Sequence, residues 1–408
     1  MKNLITAFST QVIKAAQGAS AATAGAISAL WTFPSILAGS FVIAWAAEAG
    51  QFLVSQGMAL AILAWLQTLP EFAVEAVIAW EAGKDPEKIH LVTANFTGSL
   101  RLLTGLGWPM IYFVAAFFNR RKNGGIKLKK IRLEDEHSVE VVSLIIPILY
   151  FFYIYYKATL TIVDSIILTC LYIAYIWLLN KIPPKDAESE EEMGYIPRKI
   201  LALPETQKKL AVAGLFLLGG VIIYLVAEPF FHSMLALSVT LGISNFIFIQ
   251  WVAPFLSEFP EKLSAFYWAK RIVHAPMALM NMVSSNINQW TVLVAMIPIV
   301  FGMSSGWEES IRFDQHQQAE ILLTISQSLM GFCFLVNMVF HWYEAVTIFI
   351  LWLAQFLIPN LREEITIINF VASVAALLIA GKRGNMFSAF GIFRAVARKH
   401  FRKKKIAH

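Results

Sequence analysis

Apolar runs of about 20 residues follow one another along this chain, and in two of them a proline stands directly before a glutamate. In lipid every backbone N–H and C=O must be satisfied internally, so runs of this length become helices. Eleven are read, near 31–52, 56–80, 91–118, 139–157, 160–179, 210–231, 238–268, 273–302, 319–340, 343–358 and 365–381. They predict an all-α polytopic membrane protein. The composition agrees: 58% hydrophobic, 15% charged, mean hydropathy +0.62, which excludes an ordinary soluble domain and a disordered one. A net charge of +6 does not signal nucleic acid, because the bases lie in the segments between the apolar runs. Cys170 and Cys333 sit inside such runs and build neither a disulfide framework nor a metal cluster.

Charge sets the expected orientation. Of 33 lysines and arginines, 24 fall in 119–138, 180–209, Lys270-Arg271 and the tail from Lys382, all on one side of the alternation, against seven on the other. The positive-inside rule then puts the C-terminus in the cytoplasm and the N-terminus outside, in a multi-pass plasma (inner) membrane protein. Residues 1–30, Ala-rich with Lys2 and Lys14, are expected as an amphipathic or partly inserted segment rather than a signal peptide. Residues 31–179 and 210–358 form two repeats separated by a polar linker, 180–209, made locally acidic by Glu188, Glu190, Glu191 and Glu192 and read as a solvated loop. Residues 359–408 add a further helix and a basic tail suited to anionic lipid.

The two repeats share a phrase. Thr68-Leu69-Pro70-Glu71 is followed in the next run by Asn95-Phe96-Thr97-Gly98-Ser99, and Ser257-Glu258-Phe259-Pro260-Glu261 by Asn281-Met282-Val283-Ser284-Ser285-Asn286. A charge at bilayer depth is costly and marks function, and a proline beside it frees backbone carbonyls. The two phrases lie on spans running in opposite directions, which is inverted-topology symmetry and brings paired sites together near the midplane. Asp164 and Glu344, each near the start of an apolar helix, echo the same symmetry.

Glu71 and Glu261 are the expected central ligands, with Asn95, Asn281, Thr68, Ser257, Ser99 and Ser285 completing an oxygen shell. Glu75 shares a face with Glu71, and Glu258 with Glu261; each carries a proton, binds a coupling ion or neutralises a nearby base. The small residues Gly98, Ser99, Ser284 and Ser285 also suit close helix packing. Oxygen-only ligands fit Ca²⁺, Mg²⁺, Mn²⁺ or Na⁺ rather than Zn²⁺. Lys262 lies one turn after Glu258, within reach of it, whereas Arg101 falls on a different face from Asn95. A base that enters the site can take the place of a bound ion.

On these residues the chain resembles the calcium/cation antiporter superfamily, the sodium/calcium exchanger-like proteins, which carry a G-T-S-L-P-E phrase and a G-N-x-x-G-S-N phrase in each of two inverted repeats. Thr68-Leu69-Pro70-Glu71 with Asn95…Gly98-Ser99, and Pro260-Glu261 with Asn281…Ser285-Asn286, are similar to them. Leu66 and Leu256 stand at the family's first glycine, Leu100 at an asparagine, Glu258 at a small hydroxyl residue and Lys262 at an apolar one. The resemblance implies two inverted five-helix repeats plus an extra C-terminal helix, alternating access at a central site, and sliding of the first helix of each repeat, here 31–52 and 210–231. It implies exchange of Ca²⁺ or a similar divalent cation for Na⁺ or H⁺, with inorganic cations as cargo and no resident cofactor. A passive cation channel and a non-transporting sensor or scaffold with the same fold are the alternatives. No nucleophile–base pair, metal triad or phosphate loop suggests an enzyme.

Overall fold

The computed structural model describes residues 2–53, 68–182, 193–307 and 310–403, with side chains from residue 25 to residue 400. Most of the first half of the second expected span, with Leu66, and the glutamates of the linker lie outside these residues.

Helix α1 (Lys2–Gly50) passes residue 30 without a break and continues through Pro34. The first repeat goes on with α2 (Leu69–Lys84), α3 (Ile89–Leu102), α4 (Trp108–Lys122), α5 (Ser138–Lys157) and α6 (Ile162–Lys181). A short α7 (Tyr195–Leu201) leads into the second: α8 (Glu205–Leu241), α9 (Asn245–Ser257), α10 (Phe259–Lys270), α11 (Ala275–Asn288), α12 (Val294–Ser305), α13 (Gln315–Leu335) and α14 (Trp342–Leu357). Beyond the repeats lie α15 (Arg362–Lys382) and an amphipathic α16 (Ser388–Lys403). Among the described residues eight helical stretches are long and apolar enough to cross a membrane; α9 and α14 are shorter apolar helices.

One expected boundary is wrong. The chain does not break at 232–237, because α8 runs on to Leu241. His232-Ser233 reads as a polar loop, yet Ser233 Oγ returns a hydrogen bond to the Phe230 carbonyl at 2.8 Å and meets Thr32 of α1 at 2.8 Å. The helix ends where Gly242 adopts φ 67°, the left-handed conformation that closes helices.

The inverted symmetry is visible in local detail. Each repeat inserts one five-residue π-helical stretch, Leu103–Gly107 after α3 and Gln289–Leu293 after α11. Pro70 and Pro260 each occupy the first turn of a helix, where a missing N–H costs nothing. Asp164 and Glu344 each close a capping box, accepting the backbone N–H of Thr161 at 2.7 Å and of His341 at 2.6 Å. Two short antiparallel ribbons join the halves: β1 (Lys130–Arg132) pairs with β4 (Val339–His341), and β2 (Thr159–Leu160) with β3 (Ile311–Arg312).

The first helices of the repeats, α1 and α8, pack along each other. A Cβ at Gly219 would come within 3.2 Å of the Gly39 carbonyl oxygen, so the two backbones touch there. Across the repeats, α3 crosses α9 still more closely. A Cβ on Gly98 would fall 1.9 Å from the Gln250 carbonyl oxygen, which leaves room only for glycine.

Candidate cation site

The proline-started helices α2 and α10 and the polar faces of α3 and α11 meet in the middle of the bundle. Glu71, Glu75, Glu258 and Glu261 are all buried, none more than 2% exposed. Ser99 Oγ lies 2.5 Å from Glu71 Oε1 and also contacts Glu258 Oε1. Gln289 Nε2 spans the same two carboxyl groups, at 2.8 Å to Glu71 Oε2 and 3.0 Å to Glu258 Oε1. In the second repeat Ser285 Oγ donates to Glu261 Oε1, the counterpart of Ser99 on Glu71.

The remaining expected residues divide. Asn95 Nδ2 donates to Glu75 Oε2, and Asn288 Nδ2 reaches Thr68 Oγ1 at 2.5 Å, tying α11 to the entrance of α2. Ser257 turns back to the Ala253 carbonyl of its own helix, 3.0 Å away. Asn281 faces a separate small cavity with Glu140. Gly98 is a packing residue and Ser99 a site residue, although they are neighbours.

Sequence reasoning missed Gln289 and Asn288. The usable signal was spacing: Gln289 is one turn beyond Ser285 on the same polar face. The π-helical stretch that begins at Gln289 obscures it, because the extra residue shifts every later side chain relative to a regular helix.

The two bases go to different places. Lys262 Nζ pairs with Glu258 Oε2. Arg101 leaves the site altogether. Its guanidinium contacts the Thr97 carbonyl at 3.2 Å, Gln355 Oε1 at 2.9 Å and Glu320 Oε2 at 2.5 Å, with Trp251 5.2 Å away. Glu320 is shared with Arg362, and Gln250 bonds both, so α3, α9, α13, α14 and α15 meet in one buried polar knot. Among the described residues, the carboxyl groups of Glu71, Glu258 and Glu261 therefore lie with one ammonium in the central site, and Glu75 stands one turn along α2, held by Asn95.

Chemically, this is a place for protons or hard cations. One hydroxyl hydrogen on Ser99 serves one carboxylate as a donor. Its second carboxyl neighbour is a place that a proton on that carboxyl or a shared cation would suit. Glu75 Oε1, Asn95 Oδ1, Glu261 Oε2, Asn288 Oδ1 and Gln289 Oε1 are buried oxygens that accept no hydrogen bond among the described residues. Oxygen acceptors without donors are costly alone and are the ligand type that Ca²⁺ and its relatives take.

Comparison with known proteins identifies the fold that carries this site. The sodium/calcium exchanger protein family profile matches residues 23–180 and 211–361, one segment per repeat. The crystal structure of the H⁺/Ca²⁺ exchanger CAX superposes with a TM-score of 0.83 and 32% sequence identity, covering 92% of each chain. The sodium-calcium exchanger NCX_Mj, soaked with 2.5 mM Na⁺ and 0.1 mM Ca²⁺, shares the fold at a TM-score of 0.52 and 15% identity, over 82% of this chain and 98% of that one. No protein with a curated description matches significantly. The inverted repeats with their extra C-terminal helix are thus an exchanger fold, and the chain belongs to the sodium/calcium exchanger protein family.

Proposed function

We propose that this protein is a secondary antiporter that moves Ca²⁺, or a similar divalent cation, against H⁺ or Na⁺ by alternating access. The observation that carries the reading is that Glu71, Glu258 and Glu261 are buried together and that Glu261 Oε2 and the Oε1 of Gln289, which bridges Glu71 and Glu258, accept no hydrogen bond among the described residues. Protons are chosen as the counter-ion, the Ser99 hydroxyl between two carboxyl groups being where a proton and a divalent cation would compete. The 32% identity to a protein described as an H⁺/Ca²⁺ exchanger supports the same choice. Glu71 and Glu261 are the central ligands, with Glu75 and with Glu258, which Lys262 pairs, carrying protons or the coupling ion. The scaffold alternative gains no support, because Lys262 makes its ion pair with Glu258 and Arg101 is engaged elsewhere.

The excess of bases on one side orients the N-terminus outside and the C-terminus in the cytoplasm of the plasma membrane, with α16 laid against anionic lipid. Cargo is inorganic cations; no covalent chemistry is assigned. The test is ⁴⁵Ca²⁺ uptake into proteoliposomes across a panel of competing cations, with imposed proton or Na⁺ gradients. Gradient-driven accumulation supports antiport. Equal flux without a counter-ion gradient would make the protein a channel, and no flux with no Ca²⁺ heat in calorimetry would leave a scaffold.

A further inference from the structure

A cleft of about 500 Å³ opens between α1, α7 and α10, within the range of roughly 300–1,000 Å³ that small-molecule sites occupy. Four bases line it from three elements. Lys122 ends α4, Arg198 lies on α7, and Lys270 and Arg271 stand at and just after the end of α10. Among the described residues Lys122, Arg198 and Lys270 form no ion pair. Arg198 Nη2 donates to the Met193 carbonyl at 2.9 Å, and Lys270 Nζ lies 5.3 Å from the centre of the Phe118 ring. Neither contact neutralises a charge. One carboxylate lines the cleft, Glu48 of α1, and its Oε1 accepts the Ser264 hydroxyl at 2.8 Å. Four cations against one carboxylate make the cleft a place for an anion.

The rest of the lining is largely aromatic, and part of it leads out of the cleft. Trp45 and Phe41 of α1 line the cleft, with ring centres 6.0 Å apart. Phe41 meets Phe259 of α10 at 6.2 Å, and Phe259 meets Phe255 of α9 at 5.8 Å. Phe255 is 42% exposed on an apolar helix. The run of rings therefore joins the basic cleft to an exposed apolar surface inside the membrane-spanning bundle. A soluble phosphate compound would use the bases and leave the rings bare. A neutral lipid would cover the rings and leave the bases without a counter-charge. A basic pocket between membrane helices with an apolar wall beneath it suits the headgroup and chain of an anionic lipid.

We infer that this cleft binds one anionic phospholipid, its phosphate held by Lys122, Arg198, Lys270 and Arg271 and one acyl chain laid along Phe41, Phe259 and Phe255. The planar guanidinium of Arg198 can offer two parallel N–H donors to a phosphate. The rings at the mouth are contributed by α1 and the bases by α4, α7 and α10, so the lipid ties the first helix to the rest of the bundle. The site is distinct from the surface contact of α16, none of whose residues lines the cleft. It stands whether or not the protein moves Ca²⁺.

The test is native mass spectrometry of the full chain in detergent, titrated with phosphatidylglycerol or with phosphatidylcholine. One phosphatidylglycerol is expected to stay bound under conditions that strip phosphatidylcholine. A base beside an anionic lipid is worth about fivefold in affinity. Arg198→Gln with Lys270→Gln should therefore weaken retention about tenfold or more. Lys127→Gln with Lys129→Gln removes as much charge from the basic segment between α4 and β1, outside the cleft, and should leave retention unchanged. Phosphatidylglycerol carrying a photoreactive acyl chain should label the peptides that contain Phe41 and Phe259. Equal weakening by the two pairs of substitutions would reduce the effect to general surface charge and overturn the site, as would equal retention of phosphatidylcholine. Displacement by inorganic phosphate at the concentration of the lipid would make this a soluble-anion site, and labelling confined to other helices would reject the acyl path. Retention that appears only after Glu188, Glu190, Glu191 and Glu192 are changed to glutamine would give the cleft to the acidic linker instead.

Discussion

Arg101 of the first repeat and Glu320 of the second form an ion pair at 2.5 Å with their side chains 0% and 3% exposed. The pair draws Arg101 away from the cation site and locks α3 to α13. Breaking a buried pair by removing one partner costs about 3–5 kcal/mol, because the other charge is left stranded. Arg101→Ala is therefore expected to lower the thermal unfolding temperature sharply in detergent, and Glu320→Gln to do likewise, with the double variant losing less than the sum. Additive losses in that cycle would show that the two residues act independently.

Glu71→Gln and Glu261→Gln are each expected to abolish ⁴⁵Ca²⁺ uptake while the protein still elutes as a folded species. Ser99→Ala removes the hydroxyl shared by Glu71 and Glu258, and a reduction in transport of about tenfold is expected, in line with loss of one hydrogen bond to a charged group. Undiminished uptake by both glutamine variants would reject the ligand assignment.

Lys262→Met removes the one ammonium paired with these carboxylates among the described residues. A divalent cation then meets more negative charge, and calorimetry should record Ca²⁺ binding about tenfold tighter, a change within what Coulomb's law gives at an effective dielectric constant of about 20. Weaker binding in this variant would mean that Lys262 holds Glu258 in place for the ion rather than opposing it.

Gly98→Ala tests the contact between repeats. The added methyl would overlap the Gln250 carbonyl oxygen, a backbone atom, so α3 and α9 must separate. The destabilisation should exceed the about 1–3 kcal/mol of ordinary overpacking. Ser284→Ala, at the matching position of α11, should be far milder in the same melting experiment.

How much of this was legible beforehand depends on the residue. The spans and their inverted arrangement follow from apolar run length and the repeated Pro-Glu phrase, because lipid leaves a chain so few options. The Glu71–Ser99 and Glu261–Ser285 pairs were within reach of helical spacing. Gln289 was too, one turn beyond Ser285; what hides it is that the π-helical stretch beginning there breaks the regular pattern of the residues that follow. Arg101 was placed on the wrong side of no line: its face was readable from spacing, but Glu320 and Gln355, its partners, lie over 200 residues away and no local pattern announces them. Ser257 and Asn281 look like Thr68 and Asn95 in sequence. What separates them is the surroundings, an available Ala253 carbonyl in one case and Ala265 in place of a carboxylate in the other.

Each of the two small ribbons is made from one strand of either half. Neither half alone can therefore finish its own loop ends, and the two repeats are mutually dependent. Halves 1–182 and 193–408 made as separate polypeptides should be degraded singly and rescued when produced together, the signature of a molecule stitched at both rims.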